Sequence, residues 1–334
     1  MRVTVLGAGS WGTALAILLA RNGHEVTLFG RNTEDNVIIR RIRENLHYLP
    51  GFILPDNVDV VSDADGLTEA DLWVIAVPSG AVRSIIPRIK GSSPLVTVAA
   101  KGLEMGTAKR LCQVCEEMRP DAVSGVLSGP NLAVEIVRGV PTAAVSAFAN
   151  EEAAEKVRST FMCSSFRIYI SRDVVGVELA GALKNVLAIG AGMSDGLGFG
   201  DNTKGALLAR GLHEMVCLGL AMGATVETFM GIAGVGDLFA TAVSKLSRNY
   251  RVGRAIGEGT TLAAALEEIG QVAEGVPTSE SALVLGRQNN VPMPVFEAIE
   301  SVIRSRQRPL EAVGRLMERM PKSEGFLGGQ GGGC

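Results

Sequence analysis

Aromatic residues are scarce in this 334-residue chain, at 4 %, and neither sign of charge dominates: 32 Lys and Arg stand against 35 Asp and Glu, a formal net charge of −3. The lack of a basic excess removes the electrostatic footprint of a nucleic-acid-binding protein. The hydrophobic content of 47 % excludes a disordered chain, which could not bury enough apolar surface to fold. Histidine is rare, and His24, His47 and His213 lie far apart. The five cysteines (Cys112, Cys115, Cys163, Cys217 and Cys334) are odd in number, which argues against a disulfide framework and for a reducing compartment, the cytoplasm. Cys112-x-x-Cys115 has no second Cys or His pair at ligand spacing, so no metal is expected. A P-loop lysine is also missing. Residues 3–20 carry no charge, as a signal peptide or membrane span would, but Gly7-Ala8-Gly9-Ser10-Trp11-Gly12 interrupts them and would expose backbone in a bilayer. No membrane span is expected. What the chain has in quantity is glycine, 41 residues, so its core must be Ala, Val, Leu and Ile with many close backbone approaches.

Short β-rich apolar runs alternate with helical ones through the first half, at Val3–Leu6, Glu25–Phe29, Val58–Val61, Leu72–Val77, Leu95–Ala99, Gly125–Leu127, Thr142–Ser146 and Arg167–Ile170. That rhythm predicts an α/β fold with a Rossmann-like, doubly wound parallel sheet. After about Val174 the rhythm changes, and Val174–Met193, Lys204–Met222, Ser244–Glu258, Thr261–Gly270, Pro277–Asn289 and Phe296–Ser305 all read as helices. The expected organisation is a dinucleotide-binding domain over residues 1–173 and an all-helical substrate and catalytic domain over 174–322. A flexible Gly-rich tail over 323–334 would leave Cys334 a solvated thiol.

Gly7, Gly9 and Gly12 follow the first strand and open a helix. In that context the first glycine makes the turn, the second lets backbone N–H groups approach a diphosphate, and the third lets helix pack on strand. The alternative is a plain strand-to-helix turn. A site for NAD normally offers Asp or Glu at the end of the second strand, but Gly30-Arg31-Asn32 stands there, so Arg31 favours NADP(H), with NAD(H) still admissible through Glu34 and Asp35. Lys184 is the sole charge between Glu178 and Asp195 on an apolar helix. Desolvation would lower its pKa toward general acid/base work, unless it snorkels to water. Lys101-Gly102 follows the apolar strand at 95–100, at the strand end where such sheets bind ligands, and a second cation there would depress Lys184 further. In the segment Gly231 to Asn249, Asp237 could pair a lysine. Arg248, between Ser247 and Asn249, could clamp a phosphate or merely sit in a helix cap.

Taken together, Gly-Ala-Gly-Ser-Trp-Gly-Thr-Ala-Leu-Ala at 7–16, Val77-Pro78-Ser79, Ala100-Lys101-Gly102-Leu103-Glu104, Leu127-Ser128-Gly129-Pro130, Gly176 to Asn185, Gly236-Asp237-Leu238 and Ser247-Arg248-Asn249 carry a wider pattern. The chain resembles the bacterial NAD(P)-dependent glycerol-3-phosphate dehydrogenases from residue 1 to about 320. The resemblance implies reversible hydride transfer between NAD(P)H and dihydroxyacetone phosphate, giving sn-glycerol 3-phosphate for phospholipid synthesis, in a homodimer. It also implies that Lys184 is the proton donor and acceptor, with Lys101 and Asp237 beside it. Gly129, Asn131, Asn185, Thr241, Ser247, Arg248 and Asn249 would line the phosphorylated triose. Ser10, Trp11, Arg31, Lys101, Ala133, Arg248, Val272 and Glu274 would contact the cofactor. Asn131 departs from the Ser of many relatives. Two other readings remain. In a β-hydroxyacid dehydrogenase of the 6-phosphogluconate type the lysine and asparagine would be separated by three residues rather than adjacent as in Lys184-Asn185, and a non-catalytic NADP(H)-binding regulator would not need Lys184, Lys101 and Asp237.

Overall fold

The computed structural model describes residues 1–64 and 67–320, and the tail expected to be flexible, with Cys334, lies outside the described residues. The chain divides into two compact units, one of Met1–Lys101 with Lys109–Glu178, the other of Gly102–Ala108 with the chain from Leu179 onward.

The first unit is built on strands β1 (Arg2–Leu6), β2 (Glu25–Phe29), β3 (Glu44–Asn45), β4 (Leu49–Ile53), β5 (Val58–Val61), β6 (Leu72–Ile75), β7 (Leu95–Val98), β8 (Val123–Ser128), β9 (Thr142–Ala147) and β10 (Phe166–Ser171). Eight of them form one sheet in the order β10-β9-β8-β7-β6-β1-β2-β5, and β3 with β4 makes a separate antiparallel hairpin. Burial explains why the strands read as they do. Every residue of β6 and of β7 is buried, as a strand covered on both faces requires. The edge strands alternate, with Asp59 exposed on β5 and Arg167 and Tyr169 exposed on β10.

One pairing departs from the expected all-parallel sheet, for β8 and β9 run antiparallel. The connection between them holds only the short helix Ala133–Val137, too little to carry the chain back along the strand, as a parallel crossover must. The helix Glu151–Phe161 then restores the parallel sense between β9 and β10. The strand order reverses between β1 and β6, and a doubly wound sheet takes its ligand at the carboxyl ends beside that point.

From Leu179 onward the described elements of the second unit are all helices, while its segment Gly102–Ala108 is turn and bridge. The helix Val174–Gly196 crosses from one unit into the other. Its first turns stay with the first unit, where the buried Glu178 carboxylate accepts from Cys112 N at 2.8 Å and from Arg110 Nη1 at 2.5 Å. Beyond the six expected helices, the structure adds Val226–Met230, a π-helical turn at Ile232–Gly236, Asp237–Val243 and Pro309–Met317. Two stretches, Val174–Gly196 and Val226–Val243, are long and apolar enough to cross a membrane by composition. The first is 89 % buried over its most apolar window, which makes it the core helix of its unit.

Candidate active site

In the first unit two of the three glycines that follow β1 have a steric reason, a different one in each case. Gly7 adopts φ +121°, a left-handed backbone that disfavours a side chain, and an added Cβ would lie 2.7 Å from the carbonyl oxygen of Ala76, just after β6. A Cβ on Gly12 would lie 1.8 Å from the Gly7 carbonyl oxygen. Gly9 is different: an added Cβ there meets nothing within 4 Å, and the helix Ser10–Arg21 that it opens has no side-chain cap. Open space over uncapped N–H groups fits the diphosphate of a dinucleotide.

The neighbouring side chains are tied to the protein. Trp11 Nε1 donates to Ala99 O at 3.1 Å, linking this helix to the strand end that carries Lys101, and Ser10 Oγ donates to Tyr48 O at 2.6 Å. Lys101 Nζ donates to Gly129 O at 2.6 Å, so two residues expected at the substrate meet here. Nearby in sequence, Asn131 has both amide atoms buried without a hydrogen-bond partner, a costly arrangement that a bound polar ligand would relieve. Ala133 begins the helix Ala133–Val137. Arg31 is exposed beyond β2, and Asn32 caps the next helix by accepting from the backbone N–H groups of Glu34 and Asp35.

In the second unit Lys184, only 4 % exposed, donates to Asp237 Oδ1 at 3.0 Å and to Thr241 Oγ1 at 2.5 Å, while Thr241 donates to the same carboxylate oxygen at 3.3 Å. Asp237 and Thr241 share one face of the helix Asp237–Val243 one turn apart. The lysine does not snorkel. A second chain of bonds runs beside it, in which Asn249 Nδ2 donates to Asn185 Oδ1 at 2.9 Å and Asn249 Oδ1 accepts from Gly275 N at 2.9 Å.

Ser247 caps the helix Arg248–Gly257 by accepting from Tyr250 N at 3.2 Å, the modest role open to it from sequence. Arg248 does more than begin that helix. Its guanidinium makes no hydrogen bond or ion pair among the described residues, and burial pulls its pKa below the ordinary value, with Glu274 pushing back. A half-buried guanidinium at a helix N-terminus has the chemistry to take an anion. Val272 is 47 % exposed in the segment leading to Glu274.

Residues 2–154 match the family described as NAD-dependent glycerol-3-phosphate dehydrogenase N-terminus, and residues 173–314 match its C-terminus. The chain belongs to this family. It is 47 % identical to the glycerol-3-phosphate dehydrogenase [NAD(P)+] of Desulfitobacterium hafniense over 97 % of this chain and 93 % of that protein. A Thermoanaerobacter enzyme of the same name is 48 % identical over 97 % of this chain and 99 % of its own length. Among solved structures, the glycerol-3-phosphate dehydrogenase of Coxiella burnetii superposes with a TM-score of 0.89 at 35 % identity, covering 95 % of this chain and 99 % of that one.

Several residues that shape this glycerol-3-phosphate dehydrogenase fold around its site escape sequence reasoning. Asn36, buried at the foot of β2, donates from Nδ2 to Gly30 O at 2.6 Å and to Val61 O at 3.1 Å, and its side chain occupies the space that a Cβ at position 30 would need. Asn45 and Tyr48 of the hairpin buttress the glycine turn. Conversely, Gly192-Met193-Ser194-Asp195-Gly196 has the spacing of a hydrolase nucleophile elbow, yet it lies within a continuous helix rather than on a strand-to-helix turn, and Ser194 is buried.

Proposed function

We propose that this chain reduces dihydroxyacetone phosphate reversibly to sn-glycerol 3-phosphate with NAD(P)H, supplying glycerophospholipid synthesis. The observation that carries the reading is the buried Lys184 ammonium, held between Asp237 and Thr241. Reduction of a ketone develops negative charge on the C2 oxygen. Lys184 stabilises that charge and then delivers a proton from Nζ, while Asp237 balances the lysine so that its burial is tolerated. Arg248 and the start of its helix hold the substrate phosphate. Lys101, Gly129, Asn131, Asn185, Thr241, Ser247 and Asn249 line the triose.

The cofactor is held by the turn Gly7 to Gly12 with Ser10, Trp11, Arg31, Lys101, Ala133, Arg248, Val272 and Glu274, and when bound its nicotinamide supplies the hydride. NADP(H) is preferred because Arg31 follows β2 where an NAD site would place a carboxylate. The reading extends to a homodimer working in the cytoplasm, in keeping with the free thiols of Cys112, Cys115, Cys163 and Cys217.

The test is loss of absorbance at 340 nm with dihydroxyacetone phosphate, run with NADPH and NADH side by side. Rapid oxidation of NADPH is the expected result. Folded protein that consumes neither cofactor overturns the proposal.

A further inference from the structure

The turn from Gly7 to Gly9 has little of its own to stiffen it, since two glycines flank Ala8 and glycine backbone is permissive. A helix start recognises an anion best when its N–H groups already point at it, because ordering them on binding would cost affinity. A fastener is therefore needed from outside the turn, and the hairpin β3–β4 supplies one. Asn45, 1 % exposed, donates from Nδ2 to Ala8 O at 2.9 Å and to Thr13 Oγ1 at 2.8 Å, and accepts at Oδ1 from Tyr48 N at 3.1 Å. Both hydrogens of one nitrogen are used, one on each side of Gly9. A primary amide provides that pair of donors together with an adjacent acceptor, and a carboxylate provides neither donor.

The geometry fixes a direction as well as a place. In a trans peptide the C=O and N–H point opposite ways. Anchoring the Ala8 carbonyl on Asn45 therefore turns the Gly9 N–H away from the hairpin, and a flip of the Ala8–Gly9 peptide would break the Asn45 bond. Thr13, the other anchor, is itself fully buried and donates its backbone N–H to Gly9 O at 2.9 Å, so the amide spans the whole start of the helix.

We infer that Asn45 is a positioning residue for the dinucleotide: it presets the Ala8–Gly9 peptide so that the turn meets the cofactor diphosphate already formed. The inference rests on the NAD(P)H reading above.

The experiment uses the full chain. NADPH affinity is measured by fluorescence titration in the absence of substrate, alongside steady-state kinetics and thermal unfolding, for the unaltered protein, Asn45→Asp, Thr13→Val and Leu49→Val. Asn45→Asp keeps the side-chain size, removes both donors and sets an oxygen against the Ala8 carbonyl. It is expected to raise the NADPH Kd and KM together by about tenfold to a hundredfold, the scale of a lost buried hydrogen bond, while kcat at saturating NADPH and the KM for dihydroxyacetone phosphate stay within about threefold. Thr13→Val frees one hydrogen of the Asn45 amide and should weaken NADPH by about threefold to tenfold. Leu49→Val loses packing on β4 without touching these bonds, so it should lower the Tm with Kd unchanged. An unchanged Kd in Asn45→Asp overturns the inference, as does an unchanged Kd in Thr13→Val should Asn45→Asp fail to fold, or a Kd rise in Leu49→Val equal to that in Asn45→Asp. Unaltered protein that does not bind NADPH at all overturns the functional reading itself.

Discussion

Replacing Lys184 by Met keeps most of the side-chain volume and removes the charge, which separates two jobs that Lys184 performs. Its Nζ lies 3.0 Å from Asp237 Oδ1, and both side chains are at most 5 % exposed. At that distance the attraction is about 5.5 kcal/mol for an effective dielectric of 20, and breaking a buried pair from one side typically costs about 3–5 kcal/mol because the partner charge is stranded. Lys184→Met alone should therefore lose about that much stability. Lys184→Met with Asp237→Asn leaves no stranded charge and should recover most of it, since a neutral pair of similar volume often replaces a buried ion pair at little net cost. Catalysis should not follow stability. Both variants lack the proposed proton donor and should lose about 10²- to 10⁴-fold in kcat, with NADPH affinity nearly unchanged. Urea unfolding and the 340 nm assay measure the two quantities separately. Near-normal turnover in Lys184→Met would refute the assignment of the proton, and a double variant no more stable than the single would refute the stranded-charge account.

Three further outcomes follow from the same geometry. Arg31→Ser should raise the KM for NADPH by about tenfold, the lower end for a lost charge-assisted bond at an exposed position, and leave the KM for NADH almost unchanged in parallel assays. Burial pushes the Glu214 carboxyl up to about 8 although it accepts from Val295 N and Phe296 N. The folded state then binds a proton that the unfolded state releases near pH 4.5, so stability is full below that pH and falls by up to about 5 kcal/mol as pH rises through 8. Glu214→Gln should flatten the pH dependence of unfolding between pH 5 and 8, and an unaltered slope would remove Glu214 as its source. Burial raises the thiol of Cys115 to about 12, and burial with the nearby Glu178 raises that of Cys112 well above its usual value. Neither should react with iodoacetamide at pH 8 until the protein is unfolded, as mass mapping of the labelled peptides would reveal.

The eight strands of the main sheet are legible because each is a short β-rich run bounded by turn residues, wholly buried at β6 and β7 and alternating at the edge strands β5 and β10. The hairpin is not, for β3 is two residues long and β4 contains Pro50 and Gly51, which read as a turn. The antiparallel β8–β9 pair is equally hidden, since direction depends on the length of a connection and not on the pattern within a strand. Lys184 announces itself as a lone charge in an apolar helix. Its partners do not, because Asp237 and Thr241 lie 53 and 57 residues away and no spacing rule joins them. The family resemblance implies Asp237 beside Lys184, but it implies Thr241 only among the residues that line the triose. Asn36 and Asn45 mark the limit most clearly, since an isolated asparagine has no period and its role lies in the backbone groups it happens to reach.

The scarcity of aromatics and abundance of glycine have their consequence in the second unit. A Cβ on Gly253 would lie 1.9 Å from the Ile189 carbonyl oxygen, and one on Gly192 would lie 2.1 Å from that of Tyr250. The helices Val174–Gly196 and Arg248–Gly257 therefore touch backbone to backbone, closer than any pair with side chains at the seam could come. The first carries Lys184 and Asn185, and the second begins with Arg248 and Asn249. Bulky residues at the seam would hold these helices apart and break the Asn249 to Asn185 hydrogen bond of 2.9 Å. The distance between the proposed proton donor and the proposed phosphate clamp is thus set by glycines remote from both, and Gly253→Ala should impair turnover although it touches neither.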